Sequence, residues 1–136
     1  MQRIMPYILY EDVAAALDWL KAAFGFTEWL RYMEADRRIS HAEMRLGESA
    51  ILLGGPKDYQ SPSRHGHVCQ YVVIEVEDVD KHFERAKRVG ATITQEPKTQ
   101  PWGDRDYRAK DLEGHLWFIE QHVRDVSPAE WVRLPH

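Results

Sequence analysis

An internal repeat is the feature that most limits what this chain can fold into. The segment 10–13 (YEDV) returns as 76–79 (VEDV), 66 positions later, and both copies follow an apolar run and open an amphipathic helical pattern. Asp12 and Asp78 stand where the N-cap of each helix is expected. Repetition at a fixed spacing is typical of a chain built from copies of one unit.

Both copies of the unit continue in the same way. Gly25 and Gly90 stand where the two helices should end, because glycine readily adopts the left-handed conformation of a helix C-terminus. Strand-like patterns follow at 27–34 and at 91–95. Each half therefore begins as strand, helix, strand.

A second echo closes each half. Residues 45–52 match residues 113–119 when Gly47 is aligned with Gly114, and both segments are typical of two strands joined by a tight glycine turn. We therefore predict an α+β fold of two tandem strand–helix–strand–strand–strand modules. The modules should form a curved mixed sheet with a concave cleft, because neither half alone can bury enough apolar surface.

These patterns divide the chain, which we predict to be a single domain over residues 1–136, as follows. Module one spans 3–54, a turn-rich linker spans 55–66, module two spans 67–122 and a tail spans 123–136. In the tail, Ser127, Pro128 and Glu130 form a helix start, with a short helix expected to about Arg133. We expect Trp131 to pack on the body of the protein, with a lid or a dimer contact as the alternative.

Composition excludes several classes of protein. The chain of 136 residues carries 18 Lys and Arg against 22 Asp and Glu, and this net charge of −4 argues against nucleic-acid binding. No apolar run approaches the roughly 18–20 residues of a membrane span, and the first residues lack the layout of a signal peptide. Cys69 is the only cysteine, so no internal disulfide can form. We expect a cytoplasmic protein without nucleic-acid or membrane partners.

Strand alternation sorts side chains onto two faces of the predicted sheet. One face is almost wholly apolar and is predicted to lie beneath the helices: Ile4, Ile8, Ala42, Met44, Leu46, Ala50, Leu52, Val72, Ile74, Val76, Trp117 and Ile119. The other face mixes aromatic with titratable groups: Met5, Tyr7, Leu9, His41, Glu43, Arg45, Cys69, Tyr71, Val73, Glu75, Leu116, Phe118 and Glu120. The second composition is typical of a ligand cleft, and a plainly hydrated face is the alternative.

Several motifs, taken in order with the repeat, carry a family resemblance. They are 6–8 (PYI), 22–26 (AAFGF), 41–49 (HAEMRLGES), 102–105 (WGDR) and 111–117 (DLEGHLW). Over essentially its whole length the chain resembles the glyoxalase / bleomycin-resistance / extradiol-dioxygenase superfamily, which has the vicinal oxygen chelate fold. The tail segment 122–128 resembles a subgroup of small bacterial glyoxalase-like proteins of mostly unassigned activity.

The resemblance implies where a metal would sit. Metal enzymes of this fold carry a His or Glu on the first and on a later strand of each half, and these positions correspond here to Met5, Glu43, Tyr71 and Phe118. Only Glu43 is a competent ligand, whereas a divalent metal held for Lewis-acid chemistry needs about three. We therefore expect no cofactor at the usual site.

A displaced divalent-metal site is the alternative. His41 and Glu43 are neighbours on one predicted strand, and His65 and His67 flank a glycine just before module two. The ordinary interpretations are a hydrogen-bonded pair for His41 and Glu43, and hydrated side chains for the two linker histidines.

Two charged groups have competing interpretations. Glu43 is either a general base on an aromatic face or the ion-pair partner of Arg45. Arg108 either reaches an anionic group of a ligand or joins a hydrated salt-bridge network. The acidic members of that network would be Asp104, Asp106 and Asp111.

The resemblance implies three classes of function. The first is a metal-free protein that binds a planar or amphipathic small molecule between aromatic walls. Its predicted contacts are Tyr7, Trp29, His41, Glu43, Arg45, Tyr71, Trp102, Arg108 and Phe118. The second is a lyase, isomerase or dioxygenase that uses Glu43 as base or metal ligand, and the third is a structural or regulatory protein. A homodimer is implied in each case, with an intrachain or an exchanged pairing of modules left open.

Overall fold

The computed structural model describes residues 2–131. Its elements, in chain order, are β1 (Tyr7–Leu9), α1 (Val13–Phe24), β2 (Thr27–Met33), β3 (Ile39–Leu46), β4 (Ser49–Gly54), α2 (Pro62–His65), β5 (Tyr71–Glu75), α3 (Val79–Val89), β6 (Thr92–Thr99), β7 (Asp104–Lys110), β8 (Leu116–His122) and α4 (Pro128–Trp131). The predicted extension of the tail helix to Arg133, and the predicted packing of the Trp131 side chain, lie outside the described residues.

The predicted pair of strand–helix–strand–strand–strand modules is confirmed. Their strands form two four-stranded sheets, in the orders β1-β4-β3-β2 and β5-β8-β7-β6. In each sheet the first and last strands of the module run parallel, and the other pairs are antiparallel. We call these the first and the second sheet. None of the described helices combines the length and the apolar composition that crossing a membrane requires.

Both long helices begin and end as the sequence predicts. The carboxylate of Asp12 accepts the amide of Ala15 at 3.0 Å, and Asp78 caps α3 in the same way at 3.1 Å. Gly25 and Gly90 end the helices with φ of 80° and 107°, a conformation that a side chain would strain. The apolar stripes of the two helices then pack in one core with buried residues of both sheets.

The predicted helix-facing residues are confirmed in most strands. Ile8, Ala42, Met44, Ile74, Trp117 and Ile119 are all buried. Ile4 was predicted to join them and is instead 87% exposed, because β1 begins only at Tyr7.

The prediction for β4 is wrong by one residue. Met44 pairs with Ile51 and Glu43 pairs with Leu52, so Ile51 rather than Leu52 faces the helices. Residues 50–53 are apolar without interruption, and such a run contains no alternation from which to read a face. The register is set by the two-residue turn after Leu46, where Gly47 has a φ of 59°.

The predicted linker is anchored to both modules through its helical turn α2. The amide of Ser61 donates to the Glu11 carboxylate at 2.9 Å, and the amide of Ser63 donates to the carbonyl of Glu113 at 3.0 Å. Hydrogen bonds from Ser61 and Arg64 lower the pKa of Glu11 to about 2. The connection is therefore held in place by specific contacts.

Asp111 forms a buried polar junction between the modules. Its carboxylate accepts the Tyr10 hydroxyl at 2.7 Å and the Trp117 indole N–H at 3.1 Å. The amides of Glu113 and His115 donate to its other oxygen at 3.0 Å each. Because Asp111 is only 6% exposed, its predicted place in a hydrated network is wrong.

Glu113 forms a second junction at the start of α1. Its two carboxylate oxygens accept the amides of Glu11 at 2.7 Å and of Asp12 at 3.0 Å. Burial raises the pKa of Glu113, and these two amides partly offset that rise. The tight glycine turn predicted here is wrong, because Lys110 pairs with Leu116 and residues 111–115 (DLEGH) form a five-residue loop. The loop supplies the carboxylates that tie module two to module one.

Candidate functional site

Each sheet has a face turned away from α1 and α3, which we call its outer face. On the first sheet Glu43 pairs with Leu52, and Leu52 in turn pairs with Tyr7, so these side chains share the outer face. On the second sheet Arg108 pairs with Phe118, which pairs with Val73. The predicted ligand-binding residues of the strands lie on these two faces.

Arg45 and Trp29 form a stacked pair on the first outer face. The guanidinium carbon of Arg45 lies 4.5 Å from the centre of a Trp29 ring, and its Nη2 donates to the Glu43 carboxylate at 2.6 Å. Trp29 is the extra residue of a bulge in β2, between Glu28 and Leu30, and is 62% exposed. The ion pair predicted for Glu43 and Arg45 is confirmed, and we call this group the Arg45–Trp29 platform.

Tyr7 and His41 form a neighbouring contact on the same face. The Tyr7 hydroxyl and His41 Nδ1 lie 3.0 Å apart, within hydrogen-bond distance. The ring crosses β4 over Gly54, where an added Cβ would lie only 2.5 Å from Tyr7 Cε1. The predicted pairing of His41 with Glu43 is therefore wrong, because each has a different partner.

A second group of aromatic and cationic side chains lies on the other outer face. The Tyr71 and Phe118 ring centres are 4.2 Å apart, and the guanidinium carbon of Arg108 lies 3.9 Å from the centre of the Phe118 ring. Within residues 2–131, Arg108 donates no hydrogen bond, and its closest charged contact is the Asp106 carboxylate at 3.8 Å. We call Arg108 and Phe118 the Arg108–Phe118 platform.

The neighbours of Arg108 differ from the hydrated network that was predicted. Asp106 is 3% exposed and accepts the side-chain amides of Gln95 at 2.5 Å and Gln100 at 3.2 Å. Asp104 contacts His122 at 3.1 Å. Both glutamines bond Oδ1 of Asp106, whereas Oδ2 faces Arg108 Nη2 at 3.8 Å. The Arg108 side chain therefore keeps a long ion pair with Asp106 and makes no hydrogen bond within the described residues.

Trp102 lies in the turn between β6 and β7 and is 43% exposed. The amides of Val123 and Arg124 both donate to the carbonyl of Gly103, and a Cβ at Gly103 would lie 2.1 Å from the carbonyl oxygen of Arg124. The tail thus packs directly on this turn. Across the described chain, no hydrogen bond, ion pair or ring contact joins Trp102 to either platform, or one platform to the other.

The side chains at the family's metal positions do not fit a divalent cation. Glu43 lies on the third strand of its module, whereas Phe118 lies on the fourth. The residue of module one that corresponds to Phe118 is Leu52, because Leu52 pairs with Tyr7 of β1 as Phe118 pairs with Val73 of β5. The four corresponding positions are therefore Met5, Leu52, Tyr71 and Phe118, which supply no imidazole, carboxylate or thiolate.

The side chains predicted for a displaced metal site have other hydrogen-bond partners. His65 Nδ1 accepts the backbone amide of His67 at 3.0 Å, and His41 and Glu43 have the separate partners given above. Among residues 2–131 there is no group of three or more His, Cys, Asp or Glu side chains arranged to hold a metal ion.

A cavity lies between the modules, and four residues of the predicted cleft face line it: Tyr7, Leu9, Cys69 and Leu116. Its volume is about 390 Å³, and residues of β1, of the linker and of the segment leading into β5 line it. Tyr7 is the one predicted contact residue among its walls. The alternation that separates strand faces carries no information about a space between two strand edges.

Comparison with known proteins assigns this chain to a family. Residues 2–119 match the family model described as Glyoxalase/Bleomycin resistance protein/Dioxygenase superfamily. An uncharacterized protein of Mycobacterium bovis is 31% identical over 134 residues, which cover 93% of this chain and 88% of that one. An uncharacterized protein of Mycobacterium tuberculosis is likewise 31% identical, with 93% and 78% covered.

Solved structures agree with this assignment. TioX from Micromonospora sp. ML1 is 35% identical, with a TM-score of 0.72 and coverage of 93% of this chain and 100% of that one. The fosfomycin resistance protein FosX from Mesorhizobium loti shares the fold, with a TM-score of 0.65, 13% identity and coverage of 96% and 97%. With its repeat, its paired sheets and its family match in agreement, this chain belongs to the Glyoxalase/Bleomycin resistance protein/Dioxygenase superfamily.

Proposed function

We propose that this protein binds a planar small molecule that carries an anionic group, and that it does so without a metal. The observation that carries the proposal is Arg108, whose guanidinium carbon lies 3.9 Å from the Phe118 ring centre. Within residues 2–131 its only ion pair is a long one, 3.8 Å to the Asp106 carboxylate, and no hydrogen bond holds it. A guanidinium in this setting offers a flat, charged surface that recognises carboxylate, sulfonate or phosphate groups.

The aromatic neighbours define the other half of the ligand. Tyr71 is 51% exposed and contacts Phe118 with its ring tilted by 58°, so an aromatic ring of the ligand can pack against either of them. On the first sheet, the Arg45–Trp29 platform repeats the same chemistry, although Glu43 already occupies one donor of Arg45. Tyr7, His41 and Trp102 are the other proposed wall residues.

A second copy of the chain is the proposed partner. Large apolar side chains are exposed on both outer faces, and exposed apolar surface is typical of protein interaction sites. Those that are 43–62% exposed are Tyr7, Trp29, Leu30 and Tyr32 on the first sheet and Tyr71 and Val73 on the second. Burying them against another copy removes this surface from water. Such a homodimer would also enclose the platforms and convert open faces into a cleft.

We propose binding without a metal because the side chains at the family's four metal positions are poor ligands. Met5, Leu52, Tyr71 and Phe118 offer one thioether and one phenol, neither of which holds a divalent cation in competition with water. Recognition by stacking and by hydrogen bonds from Arg108 requires no such ion.

Titration with 8-anilinonaphthalene-1-sulfonate, a planar anion that fluoresces in apolar surroundings, tests this function. We expect saturable binding, and Arg108→Gln should weaken it about tenfold, the loss of one charge-assisted contact. Arg88→Gln is the matched control, because it makes the same charge change on the exposed surface of α3. Equal affinities in the two variants would contradict the proposed role of Arg108.

A further inference from the structure

The cavity between the modules has a chemistry unlike that of the platforms. Its volume of about 390 Å³ is within the roughly 300–1,000 Å³ of small-molecule sites. Ile8 is 5% exposed, Val72 packs partly buried against the core, and both line the cavity together with Leu116. We propose that this cavity is a second binding site, specific for an uncharged aromatic compound.

The lining explains the preference for an uncharged compound. No Asp, Glu, Lys or Arg side chain lines the cavity, whereas both platforms are built on arginine. The basic side chains of the lining are His65, His67 and His115, and His65 Nδ1 and His115 Nε2 already bond to backbone groups. A charged ligand would lose hydration on entering and gain little ion pairing, so charge is selected against. Tyr7 and Tyr59 supply aromatic walls against which a ring can pack.

Open strand edges supply the polar contacts. β1 and β5 are edge strands of their sheets, and the cavity is lined by residues on or next to both of them. The carbonyl of Pro6 and the amide of Tyr10 bond to β4, so strand alternation turns the peptide groups of Tyr7 and Leu9 to the other side. His115 Nε2 donates to the Leu9 carbonyl from that side at 2.7 Å. A neutral ligand with a hydrogen-bonding group is therefore suited to this edge.

Cys69 makes occupancy of the cavity measurable. It lines the cavity, its thiol is free and exposed, and it is the only cysteine of the chain. Any thiol-specific reagent therefore reports on this one position. A molecule seated in the cavity should slow the reaction of Cys69 by covering it.

N-phenyl-1-naphthylamine is the probe for this site, because it is uncharged and corresponds to the anionic dye above without its sulfonate. We expect its fluorescence to saturate at one dye per chain. At a dye concentration ten times its Kd, alkylation of Cys69 by iodoacetamide should slow about tenfold, in proportion to the free fraction. Unchanged alkylation at saturating dye would overturn the proposal.

Filling the cavity gives a second test. Leu116→Trp adds volume inside it, and Leu52→Trp is a matched control because Leu52 is also a half-buried leucine of a last strand but does not line the cavity. We expect at least a roughly tenfold loss of dye affinity in the first variant only. Equal loss in both, or in neither, would contradict the assignment.

The two sites can fail independently. Arg108→Gln should leave binding of the uncharged dye and protection of Cys69 unchanged, while Leu116→Trp should weaken both. Val68→Trp, at an exposed position of the lining, replaces Leu116→Trp if circular dichroism shows that the latter does not fold. A neutral dye whose binding depends on Arg108 would overturn the second site and leave the proposed function standing.

Discussion

The hydroxyl of Tyr10, in module one, donates to Oδ2 of Asp111, in module two, over 2.7 Å. Both residues are buried, and burial with the nearby Asp111 charge raises the pKa of the Tyr10 hydroxyl well above its usual value. A buried carboxylate that loses a donor retains its desolvation cost, so this bond links the stability of the two modules.

Tyr10→Phe should reduce the free energy of unfolding by about 1–3 kcal/mol, because it leaves one oxygen of Asp111 with fewer donors. Urea denaturation followed by circular dichroism measures this directly. Tyr32→Phe is the control, because Tyr32 is 59% exposed and should change stability little. Equal stabilities for the two variants would show that the junction contributes nothing.

Stability should fall on acidification through His82. Its Nε2 donates to the Phe24 carbonyl at 3.1 Å, and its Nδ1 accepts the Tyr107 hydroxyl at 2.6 Å. Burial, with a smaller effect from Arg85, lowers the pKa of His82. The contribution of His82 to the free energy of unfolding is therefore complete above the pKa of an unfolded histidine, about 6.5. It is lost as the pH falls through the lower pKa of His82 in the folded protein.

His122 should show the opposite dependence. Its contacts with Asp104 and Asp125 raise the pKa of the imidazole, so its contribution is complete below about pH 6.5 and is lost as pH rises through the folded value. The loss of stability in His82→Gln, measured by urea denaturation from pH 5 to pH 8, should grow with pH. The loss in His122→Gln should shrink over the same range, and parallel curves would contradict both assignments.

Much of the fold follows from short-range signals in the sequence. The N-caps Asp12 and Asp78 and the terminal glycines Gly25 and Gly90 act within one turn of a helix, so a single sequence contains all the information that they use. β4 was misassigned because a continuous apolar run fits both faces equally well. The face is decided by the tight turn at Gly47, because this turn fixes how β4 pairs with β3.

Only part of the candidate site could be predicted from the sequence, because some of its contacts lie within one strand and others join distant segments. Parity placed Glu43 and Arg45 on one face, and two residues on the same side of one strand are close enough to pair. The contact of His41 with Tyr7 depends on two strands and on the missing side chain of Gly54 between them. The burial of Asp111 and Glu113 depends on the other module, about which local sequence carries no signal.

A charge on the second outer face should prevent dimerisation. Val73→Asp places a carboxylate at a position that is 53% exposed in the single chain, where the proposed homodimer would bury it unpaired. Val89→Asp makes the same change at a 39% exposed position on α3, outside that face. Sedimentation velocity should give a monomer for the first variant and a dimer for the second. A dimer in both cases would rule out this face as the interface.

Glu43→Gln distinguishes binding from catalysis. The change removes the charge that occupies Arg45 Nη2, so the anionic dye should bind the Arg45–Trp29 platform several-fold more tightly, by up to about 1 kcal/mol. A general base at this position predicts instead unchanged affinity for a substrate and turnover reduced by about 10²–10⁴. Fluorescence titration at two salt concentrations checks the first outcome, because an electrostatic gain shrinks as salt rises.

The most direct measurement is a double-mutant cycle on the Arg108–Phe118 platform, with affinity for 8-anilinonaphthalene-1-sulfonate as the readout. Arg108→Gln removes the guanidinium, and Phe118→Leu removes the ring while keeping an apolar side chain. If the two act together on one ligand, the double variant should lose less affinity than the single losses predict together, by about 0.5–2 kcal/mol. Additive losses, or no loss in either single variant, would contradict the account.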